Sequence, residues 1–219
     1  MICGAIFDID GVLLDSMTIW RDLGSRYLKR HNIQPKDGLD KILFSMSMEQ
    51  GAEYLKNEYC NNADAADILD EIKDMLKEFY YYEVEPKDNA AGLLKFLKDR
   101  EIRIAAATSS PRGHVEKALA RTKLLPFIEK IFTTSEIGES KHSPLIYNTA
   151  AAYLGTTSDK TFVFEDSLYA LKTAADSGYC AVGVYDRYGE SDKDGVRTYG
   201  RAYLKNFDDF DMILPYITN

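Results

Sequence analysis

A chain of 219 residues, 45% of them hydrophobic, can bury a sizeable core, and its length fits one domain plus an insertion. The formal charge of −8, with no basic stretch, argues against a nucleic-acid partner, whose phosphates would be repelled. No apolar run approaches the roughly 18 residues of a membrane span, and Asp8 and Asp10 interrupt the N-terminal apolar segment, so neither a span nor a signal peptide is expected and the protein reads as cytoplasmic.

The first apolar run, Ile2 to Phe7, reads as a strand ending in Asp8-Ile9-Asp10-Gly11. Alternation along a strand would send Asp8 and Asp10 to one side, and Gly11 would let the chain bend. Alone, this segment reads equally well as a solvated acidic turn. The pattern changes near Leu14. From Ser16 to about Asn32 the spacing of Trp20, Leu23, Tyr27 and Leu28 is helical, and Ser47-Met48-Glu49-Gln50 has the form of a capping box. A third helix is expected from about Asp64, with a stripe of Ile68, Leu69, Ile72, Met75, Leu76, Phe79 and Tyr80. Its many charged residues read as a solvated face. Trp20 and Tyr80-Tyr81-Tyr82 fit either the core of this helical part or an aromatic wall over a ligand.

After Pro86 the pattern alternates between helix and strand, which calls for a parallel sheet with right-handed crossovers. Helices are expected over 90–100, 114–124, 145–154 and 167–177, the last ended by Gly178. Strands are expected over 102–107, 130–133, 161–165 and 180–185. Tyr188 to Gly200 reads as a mobile surface loop, and the tail as a short strand at Tyr203-Leu204 with a closing helix over Asp208 to Tyr216. The core is thus in two pieces, 1–14 and 86–219, separated by a helical insertion, 15–85. Cys3, Cys60 and Cys180 lack metal or redox spacing and are expected to be reduced and mostly buried. His31 and His114 have no ligand partner at useful spacing.

Two of these strands end as the first one does. Ile102 to Ala107 runs into Thr108-Ser109-Ser110, and Thr161 to Phe164 into Glu165-Asp166-Ser167, while Lys141 stands just before the helix-start signal Ser143-Pro144. In an open parallel sheet the carboxyl ends of strands converge on the ligand site. Each segment also has a purely structural reading: Thr108-Ser109-Ser110 and Asp166-Ser167 as helix caps, Lys141 as a solvated lysine.

Taken together, Asp8-Ile9-Asp10-Gly11-Val12-Leu13-Leu14-Asp15-Ser16, Thr108, Lys141 with Pro144, and Glu165-Asp166-Ser167 resemble the four ordered motifs of the haloacid dehalogenase-like hydrolase superfamily. The resemblance is to the branch with a small helical cap that includes β-phosphoglucomutase and phosphoglycolate phosphatase, and it covers essentially the whole chain. It implies an α/β, Rossmann-like core with an inserted α-helical cap, and a Mg2+-dependent phosphatase. In that reading Asp8 is the nucleophile that becomes an aspartyl phosphate and Asp10 is the acid and base. Thr108, the Ser109 amide and Lys141 hold the phosphoryl group. Asp8, the Asp10 carbonyl and Asp166 hold Mg2+, with Glu165 a direct or indirect partner. Asp15 reads as structural. The cap would set the substrate by excluding water and gripping the leaving group.

The expected partner is a small phosphorylated metabolite such as a sugar phosphate, with no nucleic acid or membrane, and a monomer or weak homo-oligomer. A mutase needs a second anion site, yet Trp20 stands near the family's cap histidine and Phe44-Ser45-Met46-Ser47-Met48 contains no arginine, so hydrolysis is favoured. The alternatives are a phosphomutase and a non-catalytic phosphometabolite-binding protein. Further departures are His142 and Leu145 around Lys141, where the family has proline and aspartate, and Ala170 in place of glycine. His142 reads as either an extra phosphate donor or a solvated side chain.

Overall fold

The computed structural model describes residues 1–43, 46–188 and 193–217. In chain order it contains β1 (Gly4–Phe7), α1 (Met17–Arg30), α2 (Leu39–Leu43), α3 (Met48–Tyr59), α4 (Ala65–Glu78), a π-helical turn (Phe79–Glu83) and α5 (Ala90–Lys98). Next come β2 (Arg103–Thr108), α6 (Arg112–Arg121), β3 (Lys130–Thr133), α7 (Thr134–Ile137), α8 (Leu145–Leu154), β4 (Thr161–Glu165) and α9 (Leu168–Asp176). The chain ends with β5 (Cys180–Val184), α10 (Lys193–Tyr199), β6 (Ala202–Leu204) and α11 (Leu214–Ile217). It divides into two compact units, Met1–Asp15 with Val84–Asn219, and Ser16–Glu83.

The first unit is built on one parallel sheet of order β3-β2-β1-β4-β5-β6. Strands covered on both faces must be apolar throughout rather than alternating. Accordingly β1, β4 and β5 are buried along their whole length. Strand order reverses at β1: β2 lies on one side of it and β4 on the other, with Ile6 paired to both Ala105 and Val163. Such a reversal opens a crevice beyond the carboxyl ends of the two central strands. Phe7 and Phe164 stack at 4.1 Å beneath it, and the Asp8 N–H donates to the Phe164 carbonyl at 3.0 Å, so the ladder runs to the edge of the crevice. At the opposite end of its loop the chain is pinned by a small ladder. Asp15 N–H donates to Glu85 O, Lys87 N–H donates to Leu13 O, and Leu14 bridges Pro86.

The second unit packs α1 to α4 around Tyr27, Leu28, Leu39, Ala52, Leu55 and Ile68. The capping box forms as its sequence requires, with Ser47 Oγ accepting from Gln50 N–H and Gln50 Oε1 accepting from Ser47 N–H. Asp64 caps α4. His31 pairs with Glu71 at 2.8 Å on the surface. Tyr80 is buried whereas Tyr82 is 71% exposed, so the tyrosine triplet does not act as one feature. Of the stretch that lacks arginine, Phe44 and Ser45 lie outside the described residues.

Three expectations need correction. The tail is not one helix over 208–216: it is a 3-10 turn (Phe210–Met212) followed by α11, because Pro215 has no N–H to donate and its ring crowds the preceding turn. The expected loop over 188–200 contains α10, whose Val196 is buried in the core. The thiols are free, but Cys3 is exposed and Cys60 half-buried, leaving only Cys180 buried. The short helices α2 and α7 and the π-helical turn were not expected.

Docking of α10 explains Gly183 in β5. A Cβ there would lie 2.6 Å from the Val196 carbonyl oxygen, and backbone cannot rotate away as a side chain can. Gly183→Ala is therefore expected to destabilise the protein by about 2 kcal/mol through overpacking, read as a shift in the urea midpoint.

Candidate active site

β1 ends at Phe7, so Asp8 is the first residue past the strand and the turn, not strand alternation, positions Asp10. Gly11 takes φ +74°, a conformation costly for any side chain, and the N–H groups of Leu13 and Leu14 both return to the Ile9 carbonyl. Asp8 is buried. Asp10 turns toward the end of β2, where its Oδ2 accepts from Ser110 Oγ at 2.6 Å and from Thr108 Oγ1 at 3.4 Å. Thr108 Oγ1 also accepts from the Ser110 N–H at 3.0 Å. The Thr108 to Ser110 segment thus closes on itself instead of capping α6, whose first position is preceded by Pro111. Ser109 is exposed. Ser167 precedes α9 without a side-chain capping bond, so the capping reading of Asp166-Ser167 fails as well.

Lys141 lies between α7 and α8 and is not solvated: its side chain is 3% exposed. Nζ sits 2.6 Å from Asp8 Oδ1 and 2.8 Å from Glu165 Oε1. Glu165, the last residue of β4, is fully buried, and its Oε1 also accepts from the Tyr147 hydroxyl at 2.7 Å. Its Oε2 is buried with no hydrogen-bond partner among the described residues. His142 turns outward, where its ring stacks on that of Tyr169 at 4.5 Å. Asp15 contributes its backbone N–H to the ladder described above. Asp186, beyond β5, is buried in an ion pair with Lys87 and accepts from the Tyr188 N–H.

One oxygen each from Asp8, Glu165 and Asp166 lie within 4.8 Å of one another. If all were ionised, three carboxylates against the one ammonium of Lys141 would leave two uncompensated negative charges in a buried place. Burial pushes the Asp8 carboxyl well above its ordinary range. Lys141 opposes this, while Glu165, Asp166 and Asp10 add to it. Asp166 is pushed up to about 8 by burial first, then by Glu165 and Asp186. Burial alone would lower the Lys141 ammonium, but Asp8 and Glu165 outweigh it and its pKa is raised. The Tyr147 phenol is raised by burial and by Glu165, so it stays a donor. A buried acidic oxygen that has no donor among the described residues, together with three clustered carboxylates whose ionisation burial resists, fits a hard divalent cation.

Of the residues singled out in the sequence, Asp8, Lys141, Glu165 and Asp166 converge in one cluster, with Thr108 and Asp10 joined by hydrogen bond beside it. Ser110, Tyr147 and the Lys87–Asp186 pair were missed. Ser110 had a signal, since it follows Thr108 in the same polar turn, whereas Tyr147 sits in an apolar helix where it reads as core.

Residues 5–184 match the family model of haloacid dehalogenase-like hydrolases. Among curated proteins the chain is 26% identical to the validoxylamine A 7'-phosphate phosphatase of Streptomyces hygroscopicus subsp. limoneus, over 82% of this chain and 84% of that protein. It is 23% identical to a phosphorylated carbohydrates phosphatase of Thermotoga maritima, over 79% and 80%. The fold matches a Thermotoga maritima crystal structure described as a candidate β-phosphoglucomutase, with TM-score 0.85, 21% identity, and 98% and 99% coverage. The family model spans most of the sheet and all four motif segments, and the chain is a member of the haloacid dehalogenase-like hydrolase family.

Proposed function

We propose that this hydrolase is a Mg2+-dependent phosphatase of small phosphomonoesters, sugar phosphates or closely related metabolites, working through an aspartyl phosphate on Asp8. The observation that carries this reading is the buried contact of Lys141 Nζ with Asp8 Oδ1 at 2.6 Å beside the three-carboxylate cluster. The names of the curated relatives, one a validoxylamine A 7'-phosphate phosphatase and one a phosphorylated carbohydrates phosphatase, support the substrate class.

In the first step an Asp8 oxygen forms a bond to phosphorus as the ester oxygen leaves, and Asp10 delivers a proton to that oxygen. In the second, Asp10 takes a proton from water, which attacks the acyl phosphate and frees both inorganic phosphate and Asp8. Ser110 donates to Asp10 Oδ2 at 2.6 Å and so directs its other oxygen toward the reacting group, while the longer 3.4 Å contact of Thr108 leaves that hydroxyl's one proton to turn to a phosphoryl oxygen. Lys141, Thr108 and the Ser109 N–H would hold the phosphoryl oxygens and the charge that grows on them. Asp8, Asp166, Glu165 and the Asp10 carbonyl would hold Mg2+, which when bound lowers the repulsion between the Asp8 carboxylate and a phosphate dianion. The proposed partners are small phosphorylated metabolites in the cytoplasm, with the protein a monomer or weak homo-oligomer. Among the described residues no helix is long and apolar enough to cross a membrane.

Phosphate release from a panel of sugar phosphates, phosphoglycolate and nucleotides tests the reading. Release is expected with Mg2+, is expected to fall at least about 100-fold when EDTA removes the metal, and is expected to return when Mg2+ is added back. Isomerisation of a sugar phosphate without net release would move the protein to the mutases. Binding without any turnover would make it a phosphometabolite sensor.

A further inference from the structure

The two oxygens of Glu165 differ sharply. Oε1 accepts from Lys141 Nζ at 2.8 Å and from the Tyr147 hydroxyl at 2.7 Å, while Oε2 is buried and accepts from no described residue. A carboxylate oxygen has two in-plane lone pairs, so Oε1 is saturated and Oε2 wholly available. Neither donor can drift. The Lys141 ammonium is held on its other side by Asp8, and the Tyr147 ring is fully buried in the core, edge-on to Tyr179 with centroids 6.1 Å apart. Rotating Glu165 to offer both oxygens to one ion would break two buried hydrogen bonds, one of them charge-assisted.

That restraint bears on which ion fits. Ca2+ takes six to eight oxygens and uses bidentate carboxylates readily, whereas Mg2+ is small and requires near-octahedral coordination by single oxygens. We propose that Tyr147 is a positioning residue that confines Glu165 to single-oxygen coordination through Oε2 and thereby sets the preference of the site for Mg2+ over Ca2+. The inference rests on the reading of Asp8, Glu165 and Asp166 as a Mg2+ site. It adds a residue of α8 that touches neither metal nor substrate and acts only through Glu165.

The test is calorimetric titration of the metal-stripped protein with Mg2+ and, separately, with Ca2+, without substrate. Tyr147→Phe keeps the ring and removes the donor. It is expected to weaken Mg2+ binding about tenfold, in the range of hydrogen-bond partners behind metal ligands, and to shift the Mg2+/Ca2+ affinity ratio at least about fivefold toward Ca2+. Tyr179→Phe removes a neighbouring hydroxyl that donates to Asn148 Oδ1 at 2.8 Å and not to Glu165, and is expected to change neither value beyond about twofold. Tyr147→Met, also without a donor, reads the same ratio should the phenylalanine variant fold poorly. An unchanged ratio in both Tyr147 variants, whether Mg2+ affinity is retained or both ions weaken together, overturns the proposal, since a merely structural tyrosine would not discriminate between ions. A wild type that binds neither ion overturns the metal reading and this proposal with it. A wild type that binds Mg2+ yet releases phosphate from nothing overturns the phosphatase reading alone.

Discussion

Asp8→Asn is expected to reduce Mg2+-dependent phosphate release by about 10^4-fold or more while leaving the protein at least as stable as the wild type. In the proposed mechanism the substitution removes the atom that would bond to phosphorus, since an amide oxygen is a poor nucleophile and groups acting as one unit fail together. The retained stability follows from the site itself. Burial and three neighbouring carboxylates raise the Asp8 carboxyl well above its ordinary value, so the folded chain binds that proton more tightly than the unfolded chain does. A raised carboxyl pKa means that ionisation at neutral pH costs stability and that the cost disappears as the pH falls. An asparagine carries no such charge and still fills the space. Activity assays beside thermal melts of both proteins check the pair of outcomes. Activity within about tenfold of wild type would remove Asp8 from the nucleophile's place.

The same balance of charge and burial decides what could be read in the sequence. Strands such as Ala105 to Ala107 and Phe162 to Phe164 are legible because a doubly covered parallel strand is apolar without alternation, and a polar residue then marks its end. Asp8, Thr108 and Glu165-Asp166 are found by that rule, and topology brings them together because parallel strands place their carboxyl ends along one edge. Lys141 lies on no strand and its burial is invisible locally. It is legible only as part of an ordered set of motifs. Tyr147 is hidden for the opposite reason: α8 is apolar nearly all round, with Ile146, Ala150, Ala151 and Leu154 in the core, so a tyrosine among them reads as packing. Strand alternation stops at Phe7, so the placing of Asp10 belongs to the Gly11 turn rather than to the strand rule. The tail was misjudged because apolar spacing outweighed Pro215, and α10 because Gly and charge near 188–200 obscured the single anchor Val196.

Lys141→Met carries the second large effect, and it separates stability from chemistry in a way that Asp8→Asn does not. The ammonium lies between Asp8 and Glu165 at 2.6 and 2.8 Å, with all three groups buried. Removing one partner of such a cluster leaves buried charge uncompensated and is expected to cost about 3 kcal/mol at pH 8.5, together with nearly all activity. Lys141 is among the groups that hold the Asp8 and Asp166 carboxyls down, so its loss raises both further. The sign of the pH dependence is then fixed. Burial with Glu165 and Asp186 pushes the Asp166 carboxyl from 3.8 up to about 8, so stability is lost as the pH rises from 3.8 through that value and returns as the pH falls again. In Lys141→Met the recovery should be steeper, because protons replace the missing ammonium. Urea unfolding at pH 6 and pH 8.5 measures the difference between variant and wild type, which should shrink at the lower pH. A difference of the same size at both pH values would mean that Lys141 neutralises nothing in the folded protein. Adding Asp8→Asn to Lys141→Met removes one of the stranded charges and should restore part of the lost stability without restoring activity, the mark of two groups whose energies belong to the pair.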